Sequence, residues 1–426
     1  MKKATICVMT ALVLMALSAC SNNQSAAAEI TVSFNGLSGQ PVSPTAMAYQ
    51  VGDGEWVNLW PDDQGRYSFT VPAGETRYGV AVRCSGFVGA AFQNGVIYQL
   101  TTEESTSPRL SCFDFGVFAQ MSGTADVSAV AGSVSMKVVG NYSSHPRGGT
   151  SNNYLIIVPE STRASAALLA YKSSFSYNFL NLVGGRVFHD INARGSFSRD
   201  LSLQVGDAIS VKQLGAISLP AGFSSASYGV GLFAAGGAVI PVGDLSDGNQ
   251  LGGSFATLAG TQSDDYYVIS ADTHSGDSGL GWLLVVSASE VDDVTASFNM
   301  IPFPSGYSVI PDPRPTFAFD GSNENLDLHY LITFCGGGIW QYMISSGWQG
   351  GATSYRLPDL ESLIGFSGST PRSGESFGWL LASARGEADP GVYFEASHFL
   401  LEEDIMVPLV PGLLESASVE GKFVVP

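Results

Sequence analysis

Apolar and polar residues alternate along much of this chain, in short runs broken by Gly, Ser, Asn, Asp and Pro. In Tyr67-Ser68-Phe69-Thr70-Val71, residues Tyr67, Phe69 and Val71 fall on one side and Ser68 and Thr70 on the other. That is the period of a strand with one buried face. Tyr330, Ile332 and Phe334 share a face in the same way. Pro72, Pro159 and Pro358 stand at the ends of such runs, where no ladder hydrogen bond is lost.

The alternation is organised into a recurring strand pair. A run opening with Tyr meets a turn with an acidic residue next to Ser or Thr, and a second apolar run follows. Tyr67–Pro72 leads through Glu75-Thr76 to Tyr78–Val82, and Tyr154–Pro159 leads through Glu160-Ser161 to Ala166–Tyr171. Tyr267-Val268-Ile269 leads through Asp277-Ser278 to Gly281-Trp282-Leu283-Leu284, and Tyr355–Pro358 leads through Glu375-Ser376 to Gly378-Trp379-Leu380-Leu381. In the second copy, Ala164–Ala170 also suits a short helix capped at Ser161 or Thr162. The copies lie roughly 100 residues apart, the length of a seven-strand sandwich. A lone hairpin cannot bury enough apolar surface to stand in water, whereas two facing sheets can. The predicted fold class is therefore all-β, with about four tandem immunoglobulin-like β-sandwich domains. Their expected bounds are 29–116, 117–212, 213–301 and 302–426. The prolines Pro302, Pro304, Pro311, Pro313 and Pro315 read as the linker into the last of these.

Two stretches are similar to known modules. Asp62-Asp63-Gln64-Gly65-Arg66-Tyr67-Ser68-Phe69, continuing to Val80-Ala81-Val82, resembles the core of carboxypeptidase-regulatory-type sandwiches. Residues 311–388 resemble a fibronectin type III module through Pro315-Thr316-Phe317, Tyr330-Leu331-Ile332, Trp340, Tyr355–Leu360 and Trp379–Ala384. The departure is Phe319, where such modules usually carry a Trp. Neither family brings catalytic residues, so both resemblances imply binding, spacing or adhesion.

The first twenty residues are of another kind. Lys2 and Lys3 precede an apolar run from Ile6 to Leu17, too short for a stable membrane span. The run closes with Leu17-Ser18-Ala19-Cys20, which resembles the bacterial lipobox. That resemblance implies a signal peptide over 1–20, cleavage before Cys20, and acyl chains on Cys20. The mature lipoprotein would hang from a membrane by a polar tether over 21–28. The alternative is an ordinary signal peptide. Ser21 stands where an Asp would imply retention at the inner membrane, so the resemblance favours the outer membrane, facing either the periplasm or the outside.

Composition and charge narrow the partners. The chain has 50 Gly, 13% charged residues and a net charge of −19. Scarce Glu and Lys disfavour long helices. A strong negative balance without clustered Lys and Arg argues against nucleic acid, and against adhesion to anionic headgroups by charge. With Cys7 in the leader and Cys20 acylated, Cys84, Cys112 and Cys335 remain. Cys84 and Cys112 share a candidate domain of an exported chain, which points to a disulfide, with two buried thiols as the alternative. Cys335 reads as a core residue.

Candidate chemistry is sparse. Gly276-Asp277-Ser278-Gly279 with His274 resembles the nucleophile motif of chymotrypsin-like proteases. However, Leu280 follows, and the same slot recurs as a turn in the other copies. His145, His189, His329 and His398 stand singly, and His189-Asp190 puts two side chains on opposite faces of a strand. Asp244, Asp247 and Asn249, the pairs Asp264-Asp265 and Asp292-Asp293, and Glu402-Glu403-Asp404 offer oxygen ligands for structural calcium, or are solvated loop carboxylates. Of the tryptophans outside the repeated core positions, Trp56, Trp60, Trp340 and Trp348 are candidates for stacking on sugar rings. Trp348 is favoured, because it lies in the loop-like Ser345-Ser346-Gly347-Trp348-Gln349-Gly350-Gly351. The expected function is a lipid-anchored envelope protein with a non-catalytic binding, adhesion or spacer role, its partner a protein or glycan, with no cofactor. Alternatives are an accessory or degradative enzyme acting on envelope or extracellular polymers, and a subunit of a larger appendage.

Overall fold

The computed structural model describes residues 26–36, 42–84, 93–112, 117–141, 143–213, 217–218, 226–244, 250–251, 254–275, 279–287, 307–318, 326–335, 338–396, 399–402, 405–408 and 410–426. Cys20 lies outside them. So do 276–278, 245–249, 292–293 and 403–404, where the protease-like motif and much of the calcium reading fall.

The chain is all-β. Its first stretch gives β1 (Ala28–Asn35), β2 (Ala46–Val51), β3 (Val57–Asn58), β4 (Tyr67–Val71), β5 (Arg77–Cys84), β6 (Gln93–Thr101) and β7 (Arg109–Ser111). One sheet runs β4-β1-β7, and the facing one contains β3-β2-β5-β6. Period-two burial in β1 turns Ile30, Val32 and Phe34 onto Phe69, Val71, Tyr78, Val80 and Val82. A disulfide joins Cys84 at the end of β5 to Cys112 just past β7, with Cα atoms 5.6 Å apart. It ties the two sheets of this sandwich together.

Residues 118–202 build a second sandwich. Phe118–Asp126 pairs with Ser151–Pro159 and Ser196–Ser198, facing a sheet ordered Ser144–Gly148, Ser135–Val139, Ser161–Tyr171, Leu182–Ala193. The run Ala164–Ala170 is strand, not helix: it lies inside Ser161–Tyr171 and pairs on both sides. Small alanines at Ala164, Ala166 and Ala170 turn toward Met121, Ile156 and Val158. Ala167, Leu169 and Tyr171 turn the other way, onto Val230, Leu232, Phe255 and Tyr267 of the next stretch. A strand buried on both faces has no polar alternation, which is why this segment also suited a helix.

Neighbouring sandwiches are joined more closely than tandem order requires. The sheet holding β2, β3, β5 and β6 continues through β6 into Gly338–Ser345, in parallel register with Trp340 opposite Gly95. It extends on through Leu328–Cys335, Ser376–Gly386, Gly412–Val424, Gly279–Ser287, Tyr266–Ser275 and Ala226–Phe233 to Val239–Pro241, twelve strands in all. Its strands β5, β6, Leu328–Cys335, Gly338–Ser345 and Ser376–Gly386 each have two buried faces. Val80, Val82, Val96, Tyr330 and Met343 face one core, and Ala81, Ile97, Leu331, Trp340 and Trp379 face another.

The second core is covered by Ser308–Ile310, Thr316–Ala318 and Ser354–Arg356, a small antiparallel sheet, and by the loop that follows. Pro311, Pro313 and Pro315 lie in the connection between the first two of these strands, and Pro302 and Pro304 lie outside the described residues. In the loop, Phe366 packs against Trp340, and Asn58 exchanges two 3.1 Å hydrogen bonds with the backbone of Ile364. Among the described residues, no helix is long and apolar enough to cross a membrane.

Candidate functional site

Where β6 meets Gly338–Ser345, the second core opens to solvent as a cleft of about 520 Å³. Gln50 and Gln99 form its floor, aligned on either side of Gly79 across β2, β5 and β6 by the ladder register. They have the same parity as Ala48, Ala81 and Ile97, so the floor is the outer continuation of the buried face. Glycine at 79 matters here. A Cβ would sit 2.8 Å from the Trp56 ring, so the indole rests against bare backbone.

Trp348 forms the opposite side. Its four-residue helix, Ser346–Gln349, is capped by Ser345, whose Oγ accepts the Trp348 N–H at 3.0 Å, and it ends at left-handed Gly350. Ser345 Oγ in turn donates to Glu104 Oε2 at 2.6 Å. The same oxygen accepts the backbone N–H and the hydroxyl of Thr101, at 2.7 and 3.0 Å. Glu104 thereby pins the helix to the end of β6. The Trp348 ring meets Tyr355 edge-on at 6.2 Å, and the Arg77 guanidinium lies 5.9 Å from its centroid. Asp53 accepts from Arg77 at 2.6 Å, which pushes the guanidinium pKa up.

Arginines complete the wall. Arg314 Nη1 lies 3.6 Å from Asp359 and its Nε donates to the Leu357 carbonyl at 3.1 Å. Arg356 Nη2 lies 3.6 Å from Asp312. Glu55 adds one exposed carboxylate. On the floor, a chain of amides fixes orientation. Gln50 Nε2 donates to the Gly54 carbonyl at 2.7 Å, so Gln50 Oε1 faces Gln99 and accepts from its Nε2 at 3.3 Å. The Gln99 Oε1 that remains is buried without a partner, as is the Trp348 Nε1–H.

Of the four candidate tryptophans, Trp56 and Trp348 come together in this cleft. Trp340 is fully buried in the core and Trp60 stands 62% exposed, away from the cleft. Trp379 packs in the core, while the Trp282 side chain is outside the described residues. Asp265, in the loop just before Tyr266–Ser275, is not a solvated carboxylate. It is buried against His189, with Oδ2 3.1 Å from Nε2, and it also accepts the backbone N–H groups of Ala235 and Gln262. Sequence reasoning missed Gln50, Gln99, Arg314 and Arg356. A Gln or Arg alone carries no local signal, and these residues converge only because β6 and Gly338–Ser345 pair.

No protein-family model matches this chain, and no curated protein matches it. Among solved structures, it is similar to a provisionally named adhesin from Bacteroides ovatus at 7% identity, covering 44% of this chain and 90% of that one, TM-score 0.19. It is also similar to the FN1–FN3 domains of chicken CNTN1, at 7% identity over 80% and 84% of the two chains, TM-score 0.14. A third is the pilus adhesin SpaC of Lactobacillus rhamnosus GG, at 12% identity over 75% and 43%, TM-score 0.16. Such scores mark no shared overall arrangement.

Proposed function

We propose that this protein is a lipid-anchored component of the bacterial cell envelope, held at the outer membrane through acyl chains on Cys20, with a non-catalytic binding or adhesion role. The observation that carries the binding role is the cleft at the β6 seam: two tryptophans and paired arginines stand around an amide floor set on the large sheet. Aromatic rings with fixed donors and acceptors are the equipment of recognition. Asp53 and Asp359 are each engaged by a guanidinium, a poor starting point for the acid and base that a polymer-degrading enzyme needs.

The test has two arms. In the organism, Cys20→Ala is expected to shift the protein from the membrane to the soluble fraction, with mass spectrometry showing acylated Cys20 as the native N-terminus. Deleting the gene is expected to lower attachment of cells to surfaces or to one another. An unacylated N-terminus removes the anchor, unchanged attachment removes the adhesion role, and release of sugar or peptide fragments from envelope polymers by the purified chain supports the enzyme instead.

A further inference from the structure

We infer that the Trp56–Trp348 cleft is a binding site for an uncharged oligosaccharide; the inference rests on the binding role proposed above and names its ligand class.

Three observations converge. First, two indoles border one open cleft, and neither is spent wholly on core packing, since both remain half-buried. The C–H face of a pyranose is apolar and stacks on an aromatic ring while its hydroxyls stay available for polar partners. Second, the floor holds an acceptor and the wall a donor with their hydrogen-bonding capacity unused. Gln99 is 3% exposed and its Oε1 is unpartnered, its orientation set by the Gly54–Gln50–Gln99 amide chain. Trp348 Nε1–H is unpartnered as well. Unused buried polar atoms are costly, and a hydroxyl, which both donates and accepts, answers both. Both residues line the cleft, so a ligand seated there lies beside the side chains that carry these atoms.

Third, charge selects against an ionic ligand. The cationic groups in and beside the cleft are Arg77, Arg314 and Arg356, and each has a carboxylate partner, in Asp53, Asp359 and Asp312. Glu55 adds a further negative charge. An acidic sugar would have to displace those partners and approach Glu55. A neutral one can take hydrogen bonds from the outer edges of the guanidiniums while the ion pairs stay intact. The cleft volume of about 520 Å³ is that of a site for a few sugar rings rather than a single small ion.

The experiment uses the purified chain from residue 21 onward. It is titrated by calorimetry and tryptophan fluorescence with neutral cello-, xylo-, malto-, manno- and chito-tetraoses, with anionic tetragalacturonate, and with a tryptic digest of envelope proteins. At least one neutral tetraose is expected to bind, with affinity unchanged between 50 and 500 mM NaCl. Trp56→Ala and Trp348→Ala should each weaken it about tenfold or more, and Gln99→Leu about three- to tenfold. Trp60→Ala, outside the cleft, should leave it unchanged. Trp348→Phe, which keeps a stacking ring, covers the case in which Trp348→Ala lowers the melting temperature. Binding confined to the acidic sugar or to peptides, binding indifferent to both tryptophan substitutions, or no binding by any neutral tetraose overturns the inference. Attachment of cells separates this failure from that of the proposed function. If deletion reduces attachment and the Trp56→Ala/Trp348→Ala double variant does not, the protein is an adhesin with its site elsewhere. If deletion itself has no effect, the adhesion role falls first.

Discussion

Replacing Gly95 with alanine tests the join on which the cleft depends. Gly95 on β6 lies opposite Trp340 in the parallel pair with Gly338–Ser345, and the two residues are far apart in sequence. A Cβ at 95 would overlap Cζ3 and Cε3 of the Trp340 ring and come within 2.7 Å of Cη2, where ordinary contact begins near 3.4 Å. The ring has little room to retreat, being fully buried and backed by Phe366. β6 is held by β5 on its other side, so the backbone cannot shift without breaking ladder hydrogen bonds. Overpacking of this kind costs about 1–3 kcal/mol, and a site pinned on both sides belongs at the upper end, near 3 kcal/mol. Alanine restores about 0.4–1 kcal/mol by restricting the unfolded chain. The expected net loss is therefore about 2–2.5 kcal/mol.

The same substitution in a Trp340→Leu background meets no ring, and there Gly95→Ala should be neutral or slightly stabilising. Trp340→Leu alone costs less than the roughly 3–5 kcal/mol of truncation to alanine, so the background stays folded. Urea unfolding of the four proteins, followed by far-ultraviolet circular dichroism, gives the coupling energy, expected to be about 2–3 kcal/mol. Additivity within about 0.5 kcal/mol would mean that the two residues do not touch. β6 and Gly338–Ser345 would then not be paired as described, and the cleft would lose its Trp348 side.

Two other outcomes follow from buried groups elsewhere. Burial of His189 works against its charge, but the hydrogen bond and charge of Asp265, the Ala235 carbonyl and the charge of Asp264 outweigh it, so its pKa is raised above 6.5. A raised folded pKa gives stability that is complete below about pH 6.5 and lost as pH rises through the folded value. The melting temperature of the wild type relative to His189→Gln should accordingly fall across that interval, and a constant difference from pH 5 to 9 would refute the charged pair. The Cys84–Cys112 bridge closes a 28-residue separation, for which chain entropy predicts a stabilisation of about 3.5 kcal/mol. Replacing both cysteines by serine should lower the urea midpoint of the first sandwich, and an unchanged midpoint would show that the packed sheets hold these segments without it.

Sequence and structure divide along a physical line. Alternation in Tyr67–Val71, turn chemistry at Glu75 and proline at strand ends are local, and these local rules gave strands, turns and the all-β class. Glu75 shows the turn rule at work, its carboxylate accepting the N–H groups of Thr76 and Arg77 at 2.9 Å. The same reasoning singled out Trp348 from its glycine-rich surroundings. It could not separate Trp56, which borders the cleft, from Trp340, which is buried, because a tryptophan's fate depends on what covers it. Local pattern also passed over Ser308–Ile310 and Thr316–Ala318 on either side of Pro311–Pro315, since a pairing three residues long leaves little periodicity.

From the sequence alone come the strand-rich class and one of the two tryptophans that border the cleft. Only the tertiary structure decides that β6 pairs with Gly338–Ser345, that one sheet runs through three stretches of the chain, and that Gln50, Gln99, Arg314 and Trp348 share one cleft. The reason is that backbone hydrogen bonds are indifferent to side-chain identity. A period-two pattern declares that a strand has a face to bury and does not say against which distant strand. That choice is made by the joint packing of both faces, where alanines at 48 and 81 and glycines at 79 and 95 leave room for the rings of Trp56, Trp340 and Phe366.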